Sequence, residues 1–325
     1  MSPRVAVSRR DLPGPGLRLL ADRCDLEVWE DDAPPAPAQL ADLVSDCDAA
    51  LVLGTDKVDA ALLDAGSRLR VVALASMGYD AVDVAAVTGR GVLVTHTPNV
   101  LAETTADLAL ALILMARRRL GAAVDSMRGG GWSTFRMNGF LGLDVHGATL
   151  GLVGYGQIGQ ALGRRAAGLG MRVQHHDPSK PDDHGGSRAV DFDGLLRTSD
   201  VISLHVPLTP RTRGLIGPAE LARMKPTATL VNTSRGGIVD EGALRAALRT
   251  GALHSAGLDV VVDEPRADPA DPLFHEPHLV VLPHVGSATE ATRAAMVDLA
   301  ARNILAVLDG QAALTPLPGT PARRG

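Results

Sequence analysis

Short apolar runs that are rich in β-branched residues alternate along the chain with longer stretches of helical period. Runs of four or five apolar residues between helices are typical of parallel strands that are buried on both faces. The runs form two series, which predicts an α/β fold with two doubly wound parallel sheets. The predicted strands of the first series are Val5–Ser8, Leu26–Trp29, Ala49–Leu53, Val71–Leu74 and Val92–Thr95. Those of the second series are Thr149–Val153, Arg172–His176, Val201–Leu204, Thr229–Asn232, Ser255–Asp259 and Leu279–Leu282.

The stretch between the two series predicts one long helix over Thr104–Leu120, with apolar residues on nearly every side. The arginines at its end, Arg117, Arg118 and Arg119, suit the negative C-terminal end of a helix dipole. A helix that is apolar all round is buried, either in a core or against a partner subunit. We expect this helix to pack against a second copy of the chain, so the protein is expected to be a homodimer.

A second long helix is predicted over Ala288–Leu308, after the second series of strands. Two long helices that bracket the second series can carry the chain out of the first domain and back into it. The first domain is therefore expected to be discontinuous, with residues 1–99 and 287–325, and the second domain to comprise residues 100–286. The Pro-, Gly- and Arg-containing segment Thr315–Gly325 predicts a disordered tail.

The composition excludes several classes of protein. With 37 acidic and 32 basic residues, the net charge of −5 offers no basic surface for nucleic acid or anionic lipid. Two cysteines cannot form a disulfide framework, and no group of histidines or cysteines is spaced for a metal site. No apolar run approaches the roughly 18 residues of a membrane span, and the N-terminus lacks the apolar core of a signal peptide. A cytoplasmic protein that acts on a small molecule, without nucleic-acid or membrane partners, is the expectation that remains.

A glycine-rich motif follows the first strand of the second series. The strand Thr149–Val153 leads into Gly154-Tyr155-Gly156-Gln157-Ile158-Gly159, a helical pattern follows, and the next strand ends in Asp177, 23 residues beyond the first glycine. This is the fingerprint of a dinucleotide site, in which the glycines allow a tight turn, approach of the pyrophosphate and close packing of helix and strand. Asp177 can accept hydrogen bonds from the ribose hydroxyls and repel a 2′-phosphate, which favours NAD over NADP, although Lys180 can partly offset the repulsion.

Three later strands end in polar residues. Arg235 follows one, Glu264 the next and His284 the last, and ligands of open α/β sheets lie beyond the carboxyl ends of the strands. These side chains are the parts needed to reduce a 2-keto acid. Arg235 is suited to bind the carboxylate and polarise the keto oxygen, and His284 to donate a proton to that oxygen. Glu264 is suited to orient the imidazole and to favour its charged form.

At these residues the sequence resembles the D-isomer-specific 2-hydroxyacid dehydrogenases. The resemblance covers nearly the whole chain from about Val71. Besides the glycine-rich motif and the three catalytic segments, it rests on Ala75–Asp80, Thr97–Val100, Glu103–Leu108 and Leu204–Thr209. Ala106–Ala109, Leu141–Gly147 and Pro283–Thr289 are most similar to the glyoxylate and hydroxypyruvate reductases within the family.

The resemblance implies a flavodoxin-like substrate domain interrupted by a Rossmann NAD-binding domain, and a dimer formed largely through the latter. It implies that Arg235, Glu264 and His284 are catalytic and that the backbone amides of Met77 and Gly78 bind the substrate carboxylate. Asp259 is expected to face the nicotinamide carboxamide. The cofactor-binding residues that it implies are Thr105, Gly154, Gly156, Gln157, Ile158, Gly159, Asp177, Val206, Pro207, Thr212, Thr233, Ser234, Arg235, Asp259, His284 and Gly286.

Two positions depart from the family pattern, and alternatives stay open. Phe135 stands where a second tryptophan commonly follows Trp132, which leaves the size of the substrate open, and Asp263 either perturbs Glu264 or faces water.

NADH-dependent reduction of glyoxylate or hydroxypyruvate is the leading hypothesis. D-lactate or phosphite dehydrogenase activity on the same scaffold is the near alternative. A non-enzymatic NAD-sensing corepressor is the distant one, since the sequence offers no segment for transcription partners.

Overall fold

The computed structural model describes residues 2–318 and 320. The chain forms two units, one of residues 1–101 and 287–325 and the other of residues 102–286. Within the described residues, no helix is long and apolar enough to cross a membrane.

The discontinuous unit is a five-stranded parallel sheet in the order β2-β1-β3-β4-β5. Its strands are β1 (Arg4–Val7), β2 (Asp25–Val28), β3 (Ala49–Val52), β4 (Val71–Leu74) and β5 (Leu93–Thr95). Its helices are α1 (Gly16–Ala21), α2 (Pro37–Val44), α3 (Ala60–Ala65), α4 (Val84–Arg90) and, after the second unit, α11 (Glu290–Leu308). This strand order is that of the flavodoxin-like fold.

Both faces of this sheet are buried because the side chains of β1, β3, β4 and β5 alternate between two apolar clusters. One cluster joins the sheet to α1 and α11 and includes Leu51, Val71 and Ile304. The other joins it to α2, α3 and α4 and includes Val72 and Leu62. The strands have near-continuous apolar runs because both of their faces are buried, as the pattern predicted.

The segment Thr315–Gly325 differs in its first residues from the predicted disordered tail. Pro316 bridges to Thr95 of β5, and Leu317 is 1% exposed in the second cluster. Low apolar content made this segment resemble a linker, but one leucine in a core and backbone bonds to an edge strand suffice to hold it. Residues 319 and 321–325 lie outside the described part of the chain.

The second unit is a seven-stranded parallel sheet in the order β12-β11-β10-β9-β6-β7-β8. Its strands are β6 (Thr149–Val153), β7 (Arg172–His176), β8 (Arg188–Ala189), β9 (Val201–Leu204), β10 (Thr229–Asn232), β11 (Ser255–Leu258) and β12 (Leu279–Val281). Its helices are α5 (Ala102–Arg117), α6 (Leu120–Arg128), α7 (Gln157–Gly168), α8 (Phe192–Thr198), α9 (Pro218–Leu221) and α10 (Glu241–Thr250). Counted from β6, the order contains the 3-2-1-4-5-6 arrangement of the Rossmann fold with one further strand.

The predicted helix Thr104–Leu120 is two helices, and the core of its own unit buries part of the first. Helix α5 ends at Arg117, and Arg119 takes a left-handed φ of 56° before α6 begins. Leu112 and Ile113 of α5 are fully buried in a cluster that contains residues of α7, β6 and β10. These two residues of α5 are thus covered by its own unit, and packing of the helix against a second subunit stays a prediction.

The large apolar side chains that are exposed in the second unit lie instead mostly in residues 120–141, which we call the apolar arm. Helix α6, within this arm, contains no buried residue. The exposed members of the arm are Leu120, Val124, Met127, Trp132, Phe135, Met137, Phe140 and Leu141, with exposed fractions of 41–83%. Phe135, which stands where the family commonly has a second tryptophan, is 75% exposed.

Candidate active site

The glycine-rich loop after β6 requires glycine for two different reasons. Gly154 has a φ of 91°, and a Cβ there would lie 2.7 Å from the carbonyl oxygen of His205. A Cβ on Gly159 would lie 2.4 Å from the carbonyl oxygen of Gly154, so the glycine lets the first turn of α7 sit against the strand end. At Gly156, by contrast, no atom of the chain lies within 4 Å of the added Cβ. The position is open space at the N-terminal end of α7, where backbone N–H groups favour an anion such as a pyrophosphate.

Asp177, at the end of β7, lies directly against this loop. Its Oδ2 accepts a hydrogen bond from the Tyr155 amide at 2.9 Å, and its Oδ1 accepts from the Ser179 amide and hydroxyl at 2.9 and 2.7 Å. Burial opposes ionisation of this carboxyl, but the bonds from Ser179 and Tyr155 and the charge of Lys180 outweigh it, so its pKa is lowered. A carboxylate has about four lone-pair sites, so Asp177 keeps capacity for a ribose hydroxyl.

A surface cavity of about 330 Å³ adjoins Asp177 and is lined by residues of β7, β8 and the loop between them. Lys180 lines the same cavity, and its Nζ donates to the Tyr155 carbonyl at 2.7 Å. The ring of Tyr155 stacks on His175 at 4.1 Å between centroids. The loop after β7 is thereby fixed to the glycine-rich loop, and a cation stands beside the carboxylate.

The segments after β9 and β10 carry the next residues on the predicted cofactor list. Thr212 Oγ1 donates to the Pro207 carbonyl at 2.5 Å and closes the turn that Val206 begins. Ser234 Oγ donates to the Leu204 carbonyl at 2.7 Å, which joins the two strand ends. Thr233 Oγ1 is buried and has no hydrogen-bond partner within the described residues. Buried hydroxyls are normally paired, so this orphaned oxygen and the open space at Gly156 fit a bound nicotinamide dinucleotide.

His284 and Glu264 form the pair that the sequence predicted. The imidazole Nδ1 lies 2.6 Å from Glu264 Oε2, and Glu264 Oε1 accepts from the Val261 amide at 2.8 Å. Burial opposes ionisation of Glu264, but the bond and charge of His284, the Val261 amide and the charge of Arg235 outweigh it, so the pKa of Glu264 is lowered. An ionised carboxylate can only accept, so Nδ1 donates and Nε2 is the ring nitrogen that faces other groups. Asp263 is exposed, so it faces water.

Arg235 is brought near this pair by the way its loop packs. A Cβ on the next residue, Gly236, would lie 2.0 Å from the carbonyl carbon of Val261, so only glycine lets the two loops touch. Arg235 Nη1 donates to the Ser234 carbonyl at 2.8 Å, and the Arg235 carbonyl accepts from the Asn232 side chain. The structure therefore brings Arg235, Glu264 and His284 together at one edge of the seven-stranded sheet.

Asp259 has a structural task that the sequence did not reveal. Its Oδ1 and Oδ2 accept from the amides of Val285 and Gly286, each at 2.8 Å, and its carbonyl accepts from the His284 amide at 2.9 Å. Thr105 Oγ1 donates to the Gly286 carbonyl. These bonds hold His284 at a left-handed φ of 54°. Asp259 is 1% exposed, and burial raises its pKa although the two amides and His284 oppose the shift.

Met77 and Gly78 belong to the other unit and follow β4. His96 Nδ1 lies 2.9 Å from the Met77 carbonyl oxygen, and Ser76 Oγ lies 2.5 Å from the Gly78 carbonyl oxygen. The carboxyl ends of β4 and β5 therefore place this segment at an edge where parallel sheets bind ligands. The role of the two amides stays a prediction.

Comparison with known proteins decides the family. Residues 110–286, more than half of the chain, match the D-isomer specific 2-hydroxyacid dehydrogenase NAD-binding domain. The chain belongs to the D-isomer-specific 2-hydroxyacid dehydrogenases. It is an oxidoreductase that acts on the CH–OH group of donors with a nicotinamide cofactor. The non-enzymatic alternative is thereby set aside.

Relatives of this dehydrogenase match over nearly their whole length. A glyoxylate reductase of Korarchaeum cryptofilum is 44% identical over 96% of this chain and 94% of its own. One of Thermococcus litoralis is 42% identical over 96% and 95%. A crystal structure of a Thermus thermophilus protein, 43% identical, superposes with a TM-score of 0.91 over 97% of this chain and 99% of that one. An NADPH-dependent glyoxylate/hydroxypyruvate reductase of Sinorhizobium meliloti, solved with NADP and malonate, is 34% identical with a TM-score of 0.88 over 100% and 99%.

Proposed function

We propose that this dehydrogenase reduces a small 2-keto acid, glyoxylate or hydroxypyruvate, to the D-2-hydroxy acid with NADH. The observation that carries the proposal is the 2.6 Å contact between His284 Nδ1 and Glu264 Oε2 beside Arg235, next to a dinucleotide fold. The relatives named glyoxylate reductase support the choice of substrate.

Different residues of the chain bind the keto acid and transfer the proton. Arg235 binds the carboxylate and polarises the keto oxygen, because its planar guanidinium presents donors to both. The amides of Met77 and Gly78 also bind the carboxylate. His284 Nε2 gives its proton to the keto oxygen as that oxygen gains negative charge. A bound NADH would supply the hydride to the carbonyl carbon, so that the keto group, with the proton on its oxygen, becomes CH–OH.

Glu264 and Asp259 prepare His284 for this step in different ways. The ionised Glu264 fixes the tautomer and stabilises the imidazolium, from which the proton leaves. Asp259 holds the backbone that carries the imidazole. In the reverse direction, neutral His284 accepts the hydroxyl proton.

A panel of substrates tests the proposal. The purified protein is assayed for oxidation of NADH and of NADPH with glyoxylate, hydroxypyruvate, pyruvate and 3-phosphohydroxypyruvate. We expect the highest kcat/KM with NADH and one of the first two acids. Highest activity with pyruvate would show a D-lactate dehydrogenase instead, and no reduction of any of the four would refute the proposed activity.

The preference for NADH is expected to depend on Asp177. Asp177→Ser removes the ribose acceptor and the charge that repels a 2′-phosphate, while Lys180 stays. We expect the ratio of kcat/KM for NADPH to that for NADH to rise about 10- to 100-fold. Asp182→Ser, which changes an exposed carboxylate in the same loop, is the matched control and is expected to leave the ratio unchanged. A wild-type protein that already prefers NADPH would contradict the assignment.

A further inference from the structure

The segment from Ser76 to Tyr79 has two successive carbonyl groups held by side chains. The Gly78 carbonyl accepts from Ser76 Oγ at 2.5 Å. The Met77 carbonyl lies 2.9 Å from His96 Nδ1, and because a carbonyl oxygen only accepts, Nδ1 carries the proton. Both contacts lie within the discontinuous unit.

Holding the Met77 carbonyl also fixes the direction of the Gly78 amide. The peptide bond is planar and trans, so the C=O of one residue and the N–H of the next point in opposite directions across the same plane. A donor that holds the Met77 oxygen on one side therefore aims the Gly78 N–H to the other side. The plane is set by ψ of Met77 and φ of Gly78, and glycine leaves the second angle almost unrestricted, so a donor on the Met77 oxygen restrains the plane.

His96 is itself mounted rigidly. Its amide donates to the Thr315 carbonyl at 3.1 Å, and its own carbonyl accepts from Thr315 Oγ1 at 2.6 Å. The residue is 9% exposed, and the ring of Tyr79 meets its ring edge-on at 5.6 Å between centroids. The imidazole thus has little freedom to leave the Met77 carbonyl. The segment that contains Thr315 therefore helps to hold the His96 backbone in place.

We infer that His96 is a positioning residue for substrate: through the Met77 carbonyl it aims the Gly78 amide at the carboxylate of the keto acid. The inference rests on the proposed function, which assigns the carboxylate to these amides. An amide that binds the carboxylate equally in the ground state and in the transition state contributes to KM rather than to kcat. Loss of the His96 bond should therefore weaken substrate binding and leave cofactor binding unchanged.

Three variants of His96 separate the effect of its hydrogen bond from the effect of its size and polarity. In His96→Asn the amide nitrogen stands at the same number of bonds from Cβ as Nδ1, so it can donate to the Met77 carbonyl. In His96→Gln the amide stands one bond farther and misses that position. His96→Leu keeps much of the volume without any donor. His146→Leu, at an exposed histidine of the other unit, is the control.

The experiment measures kcat and KM for the best keto acid at saturating NADH, and the Kd of NADH from its fluorescence. We expect KM to rise about tenfold or more in His96→Leu and His96→Gln, with kcat and the Kd of NADH within about threefold of wild type. His96→Asn is expected to restore KM to within about threefold. An unchanged KM in the Leu and Gln variants would overturn the inference alone, and so would a parallel rise in the Kd of NADH. A wild-type protein that reduces no keto acid would overturn the proposed function, and the inference with it.

Discussion

Glu264 and His284 are expected to determine how turnover depends on pH. Burial opposes ionisation of Glu264, but the hydrogen bond and charge of His284 help to lower the pKa of Glu264, so the carboxylate stays ionised across the neutral range. Reduction needs the proton that His284 donates, so the reductive kcat/KM is expected to fall as rising pH removes this proton, whereas oxidation of the hydroxy acid is expected to rise. In Glu264→Gln the hydrogen-bonding partner remains but its charge is lost, so the imidazolium is less stable. We expect the fall of the reductive profile to move to lower pH.

The measurement is the reductive kcat/KM from about pH 5 to 10 in wild type and Glu264→Gln. His284→Ala is expected to flatten the fall and to cost about 10²- to 10⁴-fold in rate, the usual contribution of one positioned acid. Asp263→Asn, at the exposed neighbouring carboxylate, serves as the control. Coincident profiles of wild type and Glu264→Gln would mean that Glu264 does not tune His284.

The chemistry-bearing residues could be predicted because each follows a strand whose apolar run is easily recognised. Arg235, Glu264 and His284 needed only the rule that parallel strands end at the same edge. The backbone contacts of Asp259 and His96 could not be predicted. Each acts through hydrogen bonds to backbone groups of a loop, and those loops have no periodic pattern from which their path can be deduced.

At the scale of elements, the buried strands were predictable to within a residue or two, but the break after α5 was not. The helical pattern is not interrupted by a glycine or proline at Arg117, Arg118 or Arg119, so the sequence alone gives no reason to end the helix there. In the structure the break lies at Arg119, which has a left-handed φ of 56°. Arg117 is 6% exposed and donates to the carbonyls of Asp144, Asp200 and Thr227 at 2.7–3.2 Å. The side chain that lies at the C-terminal end of the helix dipole thus also joins three loops.

Replacing Arg117 is therefore expected to destabilise the second unit. Burial lowers the pKa of this guanidinium, and in Arg117→Met three carbonyls lose a charged donor. We expect a loss of at least about 2 kcal/mol in the free energy of unfolding, since each buried acceptor left unpaired costs about 1–3 kcal/mol. Urea unfolding followed by circular dichroism measures it. Arg118→Met, at an exposed neighbour, should change stability by less than about 0.5 kcal/mol, and equal effects of the two variants would contradict the assignment.

At the scale of the whole molecule, we propose that the apolar arm, residues 120–141, is covered by the same arm or its surroundings on a second copy of the chain. Trp132, Phe135 and Met137 are 65–83% exposed, and exposed apolar patches of this kind mark interfaces. Two-fold pairing of identical chains is the commonest way to cover them. We expect sedimentation equilibrium at micromolar concentration to show a dimer. Changing the three residues to serine should yield monomers, whereas Leu314→Ser, at a 55% exposed leucine of the other unit, should not. A wild-type monomer would refute the proposal.

The return of the chain in α11 sets an order of events during synthesis. One face of the five-stranded sheet is covered by α1 and α11, and Val297, Ala300 and Ile304 of α11 are buried there. When β5 leaves the ribosome, that helix does not yet exist, and the whole of residues 102–286 must be translated first. At 5–20 residues per second this takes roughly 10–40 s. Throughout that interval the part of this face that α11 later covers has no helix over it, so we expect the nascent sheet to be a binding surface for chaperones until α11 is made.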